Sequence, residues 1–223
     1  MAFFFSARAD TMRRHFTLAA LALGCFGLAG SIPAAAAKTP ATVLVVGDSL
    51  SAEYGLPRGT GWVALLEQRL AHEHIAAHVV NASISGDTTA GGRARLPALL
   101  KAHGPQVVVL ELGGNDALRG LPLTTTQANL AEMARQAKAA GAKVVIVGMQ
   151  MPPNYGRQYG EEFVALFAKV AKDQGTALVP FLLKGVADAP NADALFQPDR
   201  IHPREVAHPT MLGNVWPVLK PLL

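Results

Sequence analysis

A serine follows the first strongly apolar run after residue 38, where the chain reads "VLVVGDSLS" at 43–51. The valine-rich run stops at Gly47, and Ser49 comes two residues later. A serine hydroxyl attacks a carbonyl carbon once a histidine takes its proton, and that histidine needs a carboxylate to fix its tautomer. Ser49 alone fits a turn residue that caps a helix better than it fits a nucleophile. The choice therefore depends on which other residues the fold brings to it.

An aspartate and a histidine of the required kinds lie in "PDRIHP" at 198–203. Asp199 and His202 are three residues apart between two prolines, so one tight turn can point both side chains the same way. A single histidine before a proline is often only structural. With Ser49, however, the pair supplies all three groups of a serine hydrolase.

Two further segments contain groups that could stabilise the oxyanion formed when a serine attacks a carbonyl. They read "NASISGDTT" at 81–89 and "LGGNDALRG" at 112–120. The donors that could converge are the backbone N–H groups of Ser49 and Gly86 and the side-chain amide of Asn115. Glycine at position 86 would let the backbone approach a substrate closely.

Five short apolar runs predict five strands, with helical patterns between them. The predicted strands are Thr42–Val46, Ala77–Asn81, Gln106–Leu112, Lys143–Met149 and Ala177–Phe181. Strands that alternate with helices indicate an α/β fold with a parallel sheet covered on both faces. In such sheets, functional sites form at the carboxyl ends of the strands, where the polar segments above begin.

The helix between the third and fourth predicted strands has an apolar face that includes Leu130 and Met133. Its start is predicted by a capping box from Thr124 to Gln127, and its end by Gly141. A last helix is predicted after Pro203, ending near residue 219.

The first 37 residues have the order of an export signal: "MRRHF" is basic, residues 17–30 are apolar, and "SIPAAAA" offers small residues for cleavage. The apolar run is shorter than the roughly 20 residues that span a bilayer. We therefore expect a cleaved signal at 1–37, one domain at 38–223, no stable membrane insertion, and a periplasmic or secreted enzyme. The paired arginines leave a twin-arginine export route open.

Charge and cysteine content exclude several classes of protein. Residues 38–223 contain 17 Lys+Arg and 15 Asp+Glu, a net charge of +2, without basic runs. That balance does not favour nucleic-acid binding. The one cysteine, Cys25, falls in the signal segment, so the mature part cannot contain disulfides, a thiolate nucleophile or a cysteine-ligated zinc.

No metal or other cofactor is expected. The histidines of "HEHIAAH" at 72–78 do not match the zinc motif HExxH and fit a polar helix end. Asp48, Asp87 and Asp116 each follow a predicted strand, where capping roles suit them better than a shared metal. The chain has neither a G-x-S-x-G nucleophile elbow nor a P-loop.

Four segments resemble the four sequence blocks of the GDSL, or SGNH, hydrolases. They are "GDSLS" at 47–51, "NASISGDTT" at 81–89, "ELGGNDALRG" at 111–120 and "DRIHP" at 199–203. The resemblance extends from about Thr42 to the C-terminus. It is closest to a bacterial periplasmic branch of multifunctional thioesterases, lysophospholipases and arylesterases. It implies a three-layer αβα, flavodoxin-like fold with a parallel five-stranded sheet.

Carried over by position, the resemblance implies Ser49 as nucleophile, His202 as base and Asp199 as the carboxylate that orients the histidine. It also implies Gly86 and Asn115 as oxyanion-hole donors. The expected substrates are small acyl esters or thioesters, including lysophospholipids, hydrolysed without a cofactor.

The loop after the fourth predicted strand is apolar and stiffened by paired prolines, so Pro153 and Tyr155 are candidates to line an acyl pocket. A loop packed over the core explains the same residues. Two other functions stay open at this point: a carbohydrate O-acetyl esterase, which uses the same serine chemistry, and a non-catalytic flavodoxin-like binding module.

Overall fold

A computed structural model describes residues 40–223, apart from the side chain of Pro153. The predicted signal at 1–37 lies outside these residues, so its cleavage stays a prediction. Among the residues described, no helix combines the length and the apolar content that a bilayer crossing requires.

The centre of the fold is a five-stranded sheet in which every neighbouring pair is parallel and the strand order is β2-β1-β3-β4-β5. The strands are β1 Ala41–Gly47, β2 Ala77–Asn81, β3 Val107–Glu111, β4 Lys143–Val147 and β5 Ala177–Val179. All five predicted strands are present, and the last three end one or two residues earlier than expected. Central strands β1, β3 and β4 consist mainly of buried valine, as strands covered on both faces should.

Seven helices surround the sheet in the described part of the chain. They are α1 Trp62–His72, α2 Thr89–His103, α3 Gly114–Leu118, α4 Leu123–Ala139, α5 Arg157–Gln174, α6 Ala192–Leu195 and α7 His208–Leu219. Side chains of α2, α4 and α5 pack with Leu44 and Val46 on one face of the sheet. Side chains of α1 and α7 pack with Val43 and Val45 on the other. The three-layer αβα prediction is therefore confirmed.

Helix α2 was not among the helices predicted from sequence. Two glycines, Gly91 and Gly92, and an internal proline, Pro97, lower its intrinsic helix propensity. Packing explains one of them: a Cβ added at Gly92 would lie 2.3 Å from Leu112 Cδ1. The helix is capped by Thr88, whose Oγ1 accepts from the Gly91 N–H at 3.3 Å.

The predicted capping box of α4 is wrong. The helix begins at Leu123, directly after Pro122, and no side chain caps it. Thr124 already lies inside the first turn, because the helix starts with the Pro122 carbonyl, which accepts from the Thr126 N–H at 3.3 Å. The predicted end is correct to within two residues, since α4 stops at Ala139, before Gly141 with φ +85°.

The start of α7 is tied to the start of α1. His208 is buried, and its Nδ1 accepts from the Trp62 N–H at 3.0 Å, which satisfies one of the unpaired N–H groups of the α1 first turn. Burial lowers the pKa of His208, so the ring stays neutral and can accept. This contact fixes the segment that follows His202.

Candidate active site

Ser49 lies in a tight turn, residues 47–51, which we call the nucleophile turn. The Asp48 carbonyl accepts from the N–H groups of Ser51 at 3.2 Å and Ala52 at 2.9 Å. The Asp48 carboxylate accepts from the Leu50 N–H at 3.0 Å. Because the turn is closed by both backbone and side-chain bonds, the direction of the Ser49 side chain is fixed.

The structure brings Ser49, His202 and Asp199 into one line of hydrogen bonds. Ser49 Oγ lies 2.9 Å from His202 Nε2, and His202 Nδ1 lies 2.7 Å from Asp199 Oδ2. With Nδ1–H donating to the carboxylate, Nε2 is the free acceptor for the serine hydroxyl. The line can therefore draw the serine proton toward the histidine.

Asp199 is held in the orientation that this line needs. Its Oδ1 accepts from the N–H groups of Ile201 and His202, both at 3.0 Å. Partial desolvation acts to raise the pKa of Asp199, but these N–H donors and the His202 ring outweigh it and lower the pKa to about 2. The carboxylate is thus ionised across the range in which a histidine can act as base.

Residues that sequence reasoning missed support the His202 loop. The Gln197 N–H donates to the His202 carbonyl at 2.8 Å, and Gln197 Nε2 donates to the Tyr54 carbonyl at 2.9 Å. The Tyr54 ring centroid lies 4.3 Å from that of His202. Gln197 thereby links the loop that holds the histidine to the chain that follows the nucleophile turn.

Two of the predicted oxyanion donors are backbone N–H groups. Within residues 40–223, neither the Ser49 N–H nor the Gly86 N–H has a hydrogen-bond acceptor. Gly86 has φ +79°, a conformation that side-chain-bearing residues rarely adopt. Both residues are only partly buried and lie in the loops that follow β1 and β2, so an acceptor from outside the chain can reach the two N–H groups.

Asn115 is also at this edge of the sheet, but its amide is already engaged. Nδ2 donates to Asp48 Oδ2 and to the Asp87 carbonyl, both at 3.0 Å. The side chain thus connects the nucleophile turn to the Gly86 loop. To contribute to an oxyanion, Nδ2 would have to share one of these hydrogens.

Two arginines hold the Gly86 loop in place, and neither was identified from sequence. Arg119 donates to the Gly86 carbonyl at 2.7 Å. Arg95 pairs with Asp87 at 2.8 Å and donates to the Ala82 carbonyl. Both arginines act on backbone or carboxylate oxygens of one short loop, so its free N–H group is presented in a fixed direction.

The aspartates that were weighed as metal ligands have separate roles. Asp116 accepts from the Thr89 N–H at 2.8 Å at the start of α2, and Asp87 is paired with Arg95. Asp48 belongs to the nucleophile turn. Among residues 40–223, no three histidine, cysteine, aspartate or glutamate side chains are grouped closely enough to hold a metal ion.

A cavity of about 530 Å³ lies between the β4–α5 loop and α5. Its lining includes Met151 and Pro152 from the loop and Val164 from the helix. Tyr155 ends the short 3₁₀ turn Pro153–Tyr155, between lining residues Pro152 and Gly156, and is itself not part of the lining. The side chain of Pro153 lies outside the described part of the chain.

The model of the GDSL-like Lipase/Acylhydrolase family matches residues 45–213, which include every residue of the site. The chain belongs to this family. The GDSL family is a family of serine hydrolases, so the enzyme class expected from the four blocks is confirmed, and a non-catalytic binding module is not supported.

Two named relatives match most of the chain. Esterase TesA of Pseudomonas aeruginosa is 54% identical over 205 residues, which are 92% of this chain and 99% of that protein. Thioesterase 1/protease 1/lysophospholipase L1 of Escherichia coli K12 is 43% identical over 182 residues, or 82% and 85% of the two chains. A crystal structure of TesA matches with a TM-score of 0.78 at 56% identity, covering 82% of this chain and 99% of that one.

Proposed function

We propose that the protein hydrolyses acyl esters and thioesters by a serine mechanism in which Ser49 is the nucleophile, His202 the base and Asp199 its orienting carboxylate. The single observation that carries this proposal is the unbroken line from Ser49 Oγ through the imidazole to Asp199, with contacts of 2.9 and 2.7 Å. Both distances are within hydrogen-bond reach.

The reaction proceeds in two halves. Ser49 Oγ attacks the carbonyl carbon while its proton passes to His202 Nε2, and the tetrahedral intermediate expels an alcohol or thiol that takes this proton. Water then attacks the acyl-enzyme, His202 accepts the water proton, and the carboxylic acid leaves as the proton returns to Ser49. Asp199 stays ionised and supports the imidazolium that forms twice.

The oxyanion of each intermediate would be stabilised by the N–H groups of Ser49 and Gly86 and by Asn115 Nδ2. The absence of an acceptor for both backbone donors within residues 40–223 supports this assignment. Pre-oriented donors require no reorganisation during the reaction, which makes them effective in stabilising charge.

An apolar acyl group fits the surface around the site. Eight large apolar side chains are exposed among residues 40–223, and seven belong to the loops, the turns and the short helix α3 at the carboxyl edge of the sheet. These seven are Tyr54, Ile84, Leu118, Leu121, Tyr155, Ile201 and Val206. The names of the relatives, esterase and thioesterase/lysophospholipase, agree with an acyl substrate that has either an oxygen or a sulfur leaving group.

A fluorophosphonate probe tests the proposal. Its phosphorus should be attacked by Ser49 Oγ with loss of fluoride, and one probe per chain should be mapped to Ser49 by mass spectrometry. Ser49→Ala should not be labelled. Labelling of that variant, or of another residue in the wild type, would refute the nucleophile assignment.

In a periplasmic extract, the N-terminus of the labelled band should begin near Lys38, as the proposed export and signal cleavage require.

The acyl chain is proposed to lie in the cavity beside the turn Pro153–Tyr155. Val164→Trp should fill part of that cavity. It should lower kcat/KM for octanoyl and longer p-nitrophenyl esters about tenfold, because several CH₂ groups of the acyl chain would lose their contacts. The kcat/KM for the acetyl ester should not change. Tyr155 borders the lining residues in the chain without being one of them, so Tyr155→Ala should shift the same chain-length profile less than Val164→Trp. Lys169→Trp, on the same helix outside the cavity lining, is the matched control. Superimposable profiles for all variants would place the acyl chain elsewhere.

A further inference from the structure

Glu111 is the last residue of β3 and is completely buried, with 0% exposure. A glutamate is almost never fully buried unless it is paired with a cation. Within residues 40–223 Glu111 forms no ion pair, and its Oε1 has no hydrogen-bond partner. Arg95, whose Nη2 donates to the Gly47 carbonyl at 3.5 Å, is paired with Asp87 instead. The mechanism above assigns Glu111 no role.

The two contacts that Glu111 does form both go to the nucleophile turn. Its Oε2 lies 2.6 Å from Ser51 Oγ and accepts from the Asp48 N–H at 3.3 Å. Asp48 directly precedes Ser49, and Ser51 follows it by two residues. The carboxyl group therefore joins the two sides of the turn behind the nucleophile.

The first glycine of the "GDSLS" block is explained by the same carboxyl group. Glu111 is the register partner of Gly47 on the neighbouring strand. A Cβ added at Gly47 would lie 2.7 Å from Glu111 Oε2 and 2.8 Å from Ser51 Oγ. The space inside the turn is thus filled by the carboxyl group, and a side chain at position 47 would displace it.

The surroundings favour a neutral acid. Burial, followed by the charge of nearby Asp48, raises the pKa of Glu111 well above its ordinary value. Burial also raises the pKa of Asp48, to about 6, although the Leu50 N–H, His202 and Asn115 lower it. From the α1 side, the Trp62 indole N–H contributes only an uncharged donor, to Ser51 Oγ at 3.2 Å. Burial and the neighbouring charge thus both disfavour the ionised form of Glu111.

We propose that Glu111 is a positioning residue for the hydrolytic reaction: it fastens Asp48 and Ser51 to the end of β3 and so sets the direction of the Ser49 hydroxyl. This inference rests on the proposed role of Ser49 as nucleophile. It predicts that the hydrogen bonds of Glu111, not its charge, are what catalysis needs.

The test compares Glu111→Gln with Glu111→Leu, using a p-nitrophenyl ester. Gln keeps an oxygen acceptor, so its kcat should stay within about threefold of the wild type. Leu removes both ties, so its kcat and its rate of fluorophosphonate labelling should each fall about 10- to 100-fold, with KM within about twofold, as expected when positioning in the transition state is lost. Thr42→Val removes a buried hydroxyl near the opposite end of the sheet and should leave kcat unchanged.

Thermal unfolding supplies a readout that is independent of turnover. The unfolded-state pKa of a glutamate is about 4.3. Because the folded-state pKa is higher, the folded protein keeps a proton that the unfolded chain releases, so this contribution to stability is present below about pH 4.3 and is lost as pH rises toward the folded-state pKa. Gln does not titrate. The Tm of Glu111→Gln relative to the wild type should therefore increase as pH rises above about 4.3.

Two results would overturn the inference: wild-type kcat in Glu111→Leu, or a loss in Glu111→Gln as large as in Glu111→Leu together with a Tm difference that does not change with pH. If Glu111→Leu does not fold, the Gln kinetics and the pH series still decide. Failure of the nucleophile assignment is distinguishable, because the probe would then label Ser49→Ala, whatever the Glu111 variants do.

Discussion

Replacing His202 by alanine should lower kcat by about 10⁵–10⁶-fold, the size of effect seen when the base of a serine hydrolase is removed. Without the imidazole, no group within reach of Ser49 Oγ can take its proton, since the 2.9 Å contact to Nε2 is the only side-chain hydrogen bond of that hydroxyl within residues 40–223. KM should change little, because the imidazole contributes mainly in the transition state. Steady-state kinetics with a p-nitrophenyl ester, supported by fluorophosphonate labelling rates, would measure both.

The control for this variant is His103→Ala. His103 is an exposed histidine at the end of α2, remote from the carboxyl edge of the sheet. Its removal should leave kcat unchanged. A loss smaller than about 100-fold in His202→Ala would mean that another group serves as base, and the proposed mechanism would fail.

Replacing Asn115 by alanine should have the second largest effect, a fall in kcat of about 10²–10³-fold, as for other side-chain donors of an oxyanion hole. The amide also joins Asp48 to the Asp87 carbonyl. Its loss should therefore lower the free energy of unfolding by about 1–2 kcal/mol as well. Kinetics and denaturant unfolding of the same preparation would separate the two effects.

Asn214 offers a matched amide for comparison. Its Nδ2 also donates twice, to the carbonyls of Leu182 at 2.9 Å and Lys184 at 2.8 Å, but on α7 and outside the site. Asn214→Ala should lower stability by a similar amount and leave kcat unchanged. If Asn115→Ala behaved like Asn214→Ala, with only a stability loss, Asn115 would be a structural residue and not an oxyanion donor.

Much of this architecture could be predicted because its signals are local. Strands β1, β3 and β4 are short valine-rich runs, and the side chains that could do chemistry come directly after strands or in one proline-bounded turn. The rule that parallel strands bring their carboxyl ends together then places Ser49, Gly86 and Asn115 at one edge. Asp199 and His202 are close in sequence, so their contact needed only a tight turn.

Other features depend on contacts between distant segments, which no local pattern reveals. A glutamate at the end of a strand is expected to face solvent. Only the register of β1 against β3 shows that the Glu111 carboxyl group fills the space inside the nucleophile turn. Helix α2 was missed because Gly92 weakens the local helix signal while serving its packing against Leu112. The two hydrogen bonds of the Asn115 amide and the contacts of Gln197 with the His202 loop likewise arise from the assembled fold.

The separation of Ser49 and His202 by 153 positions has a consequence for biosynthesis. When a ribosome has released the chain as far as Val179, all five strands and the serine have emerged, but the histidine is still to come. A nascent or prematurely terminated chain of that length lacks the proposed base, and it also lacks α7, which covers one face of the sheet. On the proposed mechanism, no ester or thioester can be hydrolysed before the loop that contains His202 has been made.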